Sequence, residues 1–194
     1  MHFTREEQDI IRENLLQTGL TMSKSLGLQK MTVSKLTTAC KIAKGSFYNF
    51  YESKEAFVIS LIEYSRQKSA KMFMQKLDGR EKMTVHDLFA FYREYITTDY
   101  DFMNKLTIDD YLWMRKHLAS RDYFNPEKGF KLVQELLSMV EGVREDIDFG
   151  IVVNLIKSIY ALKEHRATMV QSSLDDSIDL IFKLLERYVS GEDI

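Results

Sequence analysis

The chain contains very few residues that end helices. Among its 194 residues there are one proline and eight glycines, so long stretches run without a helix breaker. Proline lacks a backbone donor and glycine weakens helices, and their scarcity therefore favours uninterrupted helical segments. Hydrophobic residues make up 45% of the chain, which is enough to bury a substantial core. These features predict an all-α fold.

Residues 27–57 contain two short helical patterns separated by a tight turn. Thr32 is predicted to cap a helix that begins at Val33, because its hydroxyl can accept a hydrogen bond from a free backbone amide. A turn at residues 40–42 then leads to a second short helix over residues 43–49. This arrangement is typical of a helix-turn-helix, whose second helix enters the major groove of DNA.

Polar side chains of this segment are candidates for DNA contacts of two kinds. Hydroxyl and ammonium groups fix the register on the duplex through phosphates, whereas Lys and Asn can read base edges. The candidate phosphate contacts are Thr32, Tyr48 and Lys54, with Lys35 adding charge. The candidate base contacts are Lys44, Ser46 and Asn49, and Gly45 would let the main chain approach the DNA closely. The aromatic residues Phe47, Phe50, Tyr51 and Phe57 are interpreted as core.

The segment resembles the TetR (tetracycline-repressor-like) family of transcription regulators. The matching residues are Gly27, Thr32, Val33, Leu36, Ala39, Lys44, Gly45, Ser46, Phe47, Tyr48, Asn49, Phe50, Tyr51, Ser53, Lys54 and Glu55. The resemblance implies about nine helices, with a three-helix helix-turn-helix head at residues 1–52 and a helical ligand-sensing and dimerisation domain at residues 53–194. It also implies a homodimer on a palindromic operator, released by a small-molecule effector.

Two positions depart from the family pattern. Lys41 stands where the family usually has a turn glycine, and Ala43 stands where it usually has a capping serine. A lysine at positive φ costs about 1 kcal/mol, so a left-handed turn and a different turn both remain open. Ala43 removes a hydroxyl that would cap the recognition helix. The effect of these changes on docking to DNA is left open by the sequence.

Charge is distributed unevenly along the chain. Residues 1–54 hold eight basic and five acidic residues, a net charge of +3, whereas the remaining residues carry a net charge of −5. A basic head on an acidic body is the charge pattern expected of a protein that binds nucleic acid at one end. Because +3 is small, we expect two heads to act together.

Capping patterns mark several helix starts beyond the helix-turn-helix. Ser53 is predicted to cap a long helix that runs toward Asp78, and Asn125 with Pro126 indicates another start. Thr84 with Asp87, and Thr107 with Asp110, have the spacing of capping boxes. Gly19 is interpreted as a point of close packing on the first helix.

The last two predicted helices, over residues 147–166 and 174–189, are apolar around more than one face. A surface helix needs a single apolar face, so the second face must meet either more of the same chain or a partner. By resemblance to the family, two such helices from each subunit form a four-helix bundle. The alternative is that both helices are fully internal.

Residues 88–124 are rich in Phe, Tyr and Met and contain the only tryptophan. Asp110, Trp113 and His117 lie close together there and are candidate ligand-binding residues of an aromatic cavity. The competing interpretation is an ordinary helical core.

No other chemistry is visible in the sequence. The four histidines are far apart, there is no pair of cysteines and no Gly-rich phosphate loop, so no cofactor, metal or catalytic residue is predicted. Cys40 is interpreted as a small buried residue, with a redox switch as the alternative. The sequence has no secretory signal or apolar run of about 20 residues, which favours a cytoplasmic protein that does not enter the membrane.

Together these patterns predict a ligand-responsive DNA-binding regulator, more readily a repressor than an activator, and not an enzyme. One alternative is an all-helical small-molecule-binding or enzymatic domain without DNA binding. Another is an interaction module that uses its C-terminal helices for a different protein. The effector, the operator and the regulated genes are not specified by the sequence.

Overall fold

The computed structural model describes residues 4–118 and 126–192. Within these two ranges the chain forms nine α-helices, which confirms the predicted all-α fold. In chain order they are α1 (Arg5–Lys30), α2 (Val33–Ala39), α3 (Lys44–Phe47), α4 (Lys54–Leu77), α5 (Val85–Tyr95), α6 (Ile108–His117), α7 (Pro126–Ser138), α8 (Phe149–Glu164) and α9 (Leu174–Ser190). None of the helices in these ranges combines the length and the apolar character that crossing a membrane requires.

The structure also contains a pair of very short strands that the sequence did not predict. Strand β1 (Met83–Thr84) pairs in parallel with β2 (Val140–Glu141), and Met83 lies opposite Val140. Two residues per strand are too few to produce the alternation that marks a strand in a sequence.

The predicted helix starts are confirmed where the structure describes them. They are the capping boxes of Thr84 with Asp87 and of Thr107 with Asp110, and the Ser53 hydroxyl that accepts the Ala56 amide at 3.1 Å. Helix α7 begins at Pro126 as predicted, whereas Asn125 lies outside the described residues. Capping rules succeed here because donor and acceptor lie within three residues of each other.

Contacts divide the chain into two compact units. The first comprises Met1–Lys71 and Thr97–Arg121, and the second comprises Met72–Ile96 and Asp122–Ile194. Helix α6 therefore belongs to the same unit as α1, α2 and α3, although it follows them by many residues in the sequence. The predicted functional boundary between residues 52 and 53 remains a prediction.

The core of the first unit is built on close packing between α1 and α4. A Cβ added at Gly19 of α1 would lie 2.6 Å from the Phe57 ring, so glycine is required for this approach and its predicted role is confirmed. Phe57 itself contacts the rings of Phe47 and Tyr51, at centroid distances of 5.6 and 4.9 Å. These aromatic contacts fasten the helix-turn-helix to α4.

The second unit has its own hydrophobic core. It is formed by α5, α8 and α9 with the ends of α4 and α7, and Phe182 and Leu185 of α9 are almost completely buried in it. At its edge, Arg93 pairs with Asp179 and lies over the Phe182 ring, which ties α5 to α9. The hydroxyls of Tyr92 and Tyr160 lie 3.1 Å apart and link α5 to α8.

Candidate nucleic-acid interface

The first helix of the predicted motif begins where the sequence indicates. Thr32 has extended backbone angles, and its hydroxyl accepts a hydrogen bond from the Lys35 amide at 3.2 Å. The N-cap prediction for Thr32 is confirmed. Thr32 and Lys35 are both exposed, and the Lys35 ammonium group donates to the Lys30 carbonyl at 3.2 Å.

The turn between α2 and α3 keeps a left-handed residue although glycine is absent. Lys41 has φ +56°, and its amide donates to the Thr38 carbonyl while the Ile42 amide donates to the Thr37 carbonyl. Of the two geometries that the sequence left open, the structure has the left-handed one. Ala43 caps α3 without any side-chain hydrogen bond, as its methyl group requires.

Helix α3 has a buried side and an exposed side. Phe47 is completely buried, whereas Lys44, Gly45, Tyr48 and Asn49 are exposed. After Phe47 the backbone continues in a tighter turn, in which the Tyr48 and Asn49 amides donate to carbonyls three residues earlier. The predicted polar residues are therefore presented on the solvent side of an element that is anchored in the core.

Gly45 has no structural reason to be glycine within the described protein. Its φ is not in the left-handed region, and an added Cβ would have no protein atom within 4 Å. Ser46, one of the three candidate base contacts, is only partly exposed.

The aromatic residues around α3 are core residues, as predicted, with one unusual group among them. Phe47, Tyr51 and Phe57 are each at most 5% exposed, and Phe50 is partly buried. The Tyr51 hydroxyl is buried and has no hydrogen-bond partner among the residues that the structure describes. Burial raises the pKa of Tyr51 to about 12, and the nearby charge of Arg12 opposes this only in part.

Cys40 is buried at the end of α2, which confirms the structural interpretation of this residue. Its sulfur lies 3.8 Å from the Asn14 carbonyl of α1. Burial raises the pKa of the Cys40 thiol, so the reactive thiolate is disfavoured.

Lys54, a predicted phosphate contact, has partners inside the first unit. Its ammonium group lies 4.5 Å from the centre of the Trp113 ring and donates to the Gln29 carbonyl at 3.4 Å. Burial lowers the pKa of Lys54, while the charges of Glu55 and Asp110 raise it. Its contact with phosphate remains a prediction.

The three predicted ligand residues lie on α6. The Asp110 carboxylate is 3% exposed and accepts the Leu28 amide of α1 at 2.5 Å. Trp113 stacks on His117 with ring centres 4.6 Å apart, and the His117 Nδ1 atom lies 2.8 Å from the Trp113 carbonyl. Sequence reasoning placed these residues together but missed their packing against α1. Their role in ligand binding remains a prediction, and residues 119–124 of that aromatic segment lie outside the described residues.

Basic residues that the motif did not single out extend the positive charge of the helix-turn-helix. Lys30 ends α1 and Lys41 occupies the turn, and both are exposed. Both contribute to the net charge of +3 of residues 1–54, but neither is among the predicted DNA contacts.

Helices α8 and α9 combine buried and exposed apolar residues. Ile159 and Phe182 are at most 1% exposed, whereas Ile151 is 43% exposed and Leu180 is 65% exposed. The apolar surface of these helices is therefore only partly covered by the described part of the chain.

Comparisons with curated proteins find transcription regulators. The chain is 30% identical to the HTH-type transcriptional repressor NemR of Escherichia coli (strain K12) over 83 residues, which cover 43% of this chain and 42% of NemR. It is 28% identical over 110 residues to YuxN of Bacillus subtilis, an uncharacterized HTH-type regulator, covering 56% of this chain and 35% of YuxN. The matches thus span less than half of these relatives. No family model matches the chain.

Solved structures match nearly the whole chain. Reduced E. coli NemR superposes with a TM-score of 0.63 at 19% identity, covering 92% of this chain and 97% of NemR. The regulatory protein TetR from Rhodobacter sphaeroides superposes with a TM-score of 0.61 at 17% identity, covering 93% of this chain and 99% of that protein. The chain has the TetR-family fold. A third structure with this fold is the transcriptional regulator FadR from B. subtilis in complex with stearoyl-CoA. It superposes with a TM-score of 0.55 at 16% identity, covering 93% of this chain and 99% of FadR.

Proposed function

We propose that this chain is a ligand-responsive transcription regulator that binds a palindromic DNA operator as a homodimer and acts as a repressor. The observation that carries the proposal is the geometry of α3. Phe47 anchors the helix in the core, while Lys44, Tyr48 and Asn49 face solvent on a TetR-family fold. Such a helix can enter a major groove with its polar residues against base edges and phosphates.

Two further features support contact with DNA. Gly45 faces open space, so its missing side chain serves no packing purpose within the described residues and would admit a close approach of the duplex. Lys41 retains the left-handed turn, so the departure from the family pattern leaves the geometry of the helix-turn-helix in place. This weakens the alternative of a helical domain that has lost DNA binding.

A mobility-shift titration tests the proposal. The purified chain should bind the DNA upstream of its own gene at least about 100-fold more tightly than scrambled DNA of equal length. The logarithm of the affinity should fall linearly with the logarithm of the salt concentration as counterions are released. Equal binding to both DNAs would instead favour the small-molecule-binding or enzymatic alternative.

Substitutions in α3 give a sharper test. The double variant Lys44→Ala with Tyr48→Ala should lose at least tenfold in operator affinity, since it removes two exposed contact groups. The Tyr48 ring also contacts the buried Phe47 ring edge-on, so the folding of the variant is verified by circular dichroism. Lys82→Ala is the matched control, because Lys82 is an exposed lysine in the connection between α4 and β1. Unchanged operator occupancy by a folded double variant would refute the assignment of α3 as the recognition helix.

The homodimer is proposed to form through α8 and α9. Support comes from Ile151 and Leu180, which leave apolar surface exposed on these helices. Leu180→Asp should shift the chain from dimer to monomer in analytical ultracentrifugation, because stable dimer interfaces are largely hydrophobic. Leu132→Asp is the control, since Leu132 is a similarly exposed leucine of α7. A monomeric unsubstituted chain would contradict the proposal and favour an interaction module for another protein.

The small-molecule effector is proposed by analogy with the fold. FadR, which shares it, was crystallised with stearoyl-CoA, and NemR is named a repressor. If the effector binds near Asp110, Trp113 and His117, it should change the fluorescence of the only tryptophan and release operator DNA over the same concentration range. Release of DNA without a change in fluorescence would place the effector elsewhere.

A further inference from the structure

The connection between α1 and α2 is unusually constrained. Gly27 interrupts α1 with φ +77°, and the backbone then runs through Leu28 and Met31 to the cap at Thr32. Leu28 is completely buried and Met31 is 1% exposed. The direction in which α2 leaves α1 therefore depends on how these few residues are held.

One side of the connection is held by Asp110 of α6. One oxygen of its carboxylate accepts the Leu28 amide at 2.5 Å, and the other accepts the amide and the hydroxyl of Thr107 at 3.1 and 2.9 Å. Hydrogen bonds to a charged acceptor are stronger than neutral ones, and a buried carboxylate needs them. A Cβ at Gly27 would lie only 3.0 Å from the Asp110 oxygen that accepts the Leu28 amide, so the glycine also makes room for the carboxylate.

The other side of the connection is held by Lys54, the first residue of α4. Its ammonium group donates to the Gln29 carbonyl and lies over the Trp113 ring of α6. The backbone of residues 28 and 29 is thus hydrogen-bonded by the Asp110 carboxylate of α6 and by the Lys54 ammonium group, which itself contacts Trp113 of α6. All of these contacts lie within the first compact unit.

We propose that Asp110 is a positioning residue for DNA binding. It is buried and cannot contact DNA itself, but it fixes the backbone that leads directly into Thr32 and α2. Helix α3 follows α2 through a short turn, so a displaced entry into α2 carries α3 with it. The inference rests on the proposed function. Because the partners of Asp110 belong to the chain itself, Asp110 performs this positioning role without a bound small molecule.

Asp110→Asn tests the inference in the full chain. The carbonyl oxygen of the asparagine side chain can still accept a hydrogen bond from the Leu28 backbone amide. The side chain loses the negative charge, however, and its NH2 group cannot accept hydrogen bonds from Thr107. Operator affinity should fall about tenfold or more. Asp109→Asn is the matched control, because Asp109 is an exposed acid of the same helical turn that undergoes the same chemical change. Its affinity should stay within about twofold of the unsubstituted chain.

Amide hydrogen exchange separates positioning from general stability. In the unsubstituted chain the Leu28 amide should exchange slowly, and Asp110→Asn should accelerate it while leaving the core amides of α4 protected. If the variant does not fold, Gly27→Ala gives a second way to disturb the carboxylate, with the same expected loss of affinity. The variant that folds is compared with the control at a temperature at which both are fully folded.

The possible outcomes are distinct. A folded Asp110→Asn variant that binds operator like Asp109→Asn, or a rapidly exchanging Leu28 amide in the unsubstituted chain, overturns the inference while leaving the proposed function intact. Failure of the unsubstituted chain to bind its own upstream DNA overturns the proposed function and the inference together. A lower unfolding temperature with unchanged operator affinity assigns Asp110 a structural role only, which also overturns it.

Discussion

Removing the hydroxyl of Tyr51 should stabilise the protein. This oxygen is buried next to the rings of Phe47 and Phe57, and it has no hydrogen-bond partner within residues 4–118 and 126–192. An unpaired buried polar group costs about 1 to 3 kcal/mol relative to its hydrated state. Phenylalanine keeps the ring contacts and leaves only a small gap, so Tyr51→Phe should raise the free energy of unfolding by about 1 kcal/mol.

Tyr64 supplies a matched comparison for Tyr51. It is also a largely buried tyrosine of the first unit, but its hydroxyl donates to the Glu13 carboxylate at 2.6 Å, and the Lys68 ammonium group lies 2.9 Å from the same carboxylate oxygen. The same substitution there removes a hydrogen bond to a charged group. Tyr64→Phe should therefore destabilise the protein by about 1 to 2 kcal/mol.

Urea unfolding followed by circular dichroism measures both variants. The midpoint should rise for Tyr51→Phe and fall for Tyr64→Phe, without a change in the slope of the transition. In thermal unfolding, 1 kcal/mol corresponds to about 2 to 4 °C for a chain of this size. If Tyr51→Phe lost as much stability as Tyr64→Phe, the hydroxyl of Tyr51 would have a favourable partner and the reasoning would be refuted.

Two further predictions concern the same unit. Lys41→Gly should increase the free energy of unfolding by about 0.5 to 1 kcal/mol, because glycine adopts φ +56° without strain, and a lower urea midpoint would contradict this. The pKa of Tyr51 is raised to about 12 by burial, so its unfolded form ionises first as the pH rises above 10. The advantage of Tyr51→Phe in unfolding free energy should therefore widen between pH 10 and 12, and a constant difference across that range would exclude the raised pKa.

Local features of the fold could be predicted because they depend on neighbouring residues. The caps at Thr32, Ser53 and Thr107 each use an acceptor and a donor three residues apart, and all three are present in the structure. The helices α8 and α9 were predicted within a few residues from their apolar periodicity. Periodicity identifies an apolar face, but it does not tell whether the chain or a partner covers it, as Ile159 and Ile151 of α8 illustrate.

Features that join distant residues could not be predicted from one sequence. Asp110 and Leu28 are separated by 82 residues, and no pattern in either segment indicates their hydrogen bond. The contact of Lys54 with Trp113 is of the same kind. The sequence predicts that Lys54 contacts phosphate, because a lysine at this place in the motif is expected to be exposed. Its contact with α6 forms only because the chain returns to the first unit after α5.

The ligand-binding and positioning roles make different demands on the oxygen atoms of Asp110. From sequence, an acid beside a tryptophan and a histidine fits either role. In the structure one oxygen accepts Leu28 and the other accepts two donors of Thr107. A carboxylate has about four lone-pair sites, and these donors occupy three of them. A ligand that displaced one of the donors would lose a charged hydrogen bond worth about 1.5 to 3 kcal/mol. The positioning role uses the carboxylate with its present partners, so it requires no such exchange. If an effector did displace Leu28, it would release the backbone that leads into α2, and its binding would be opposed by DNA to the same degree that it opposed DNA binding.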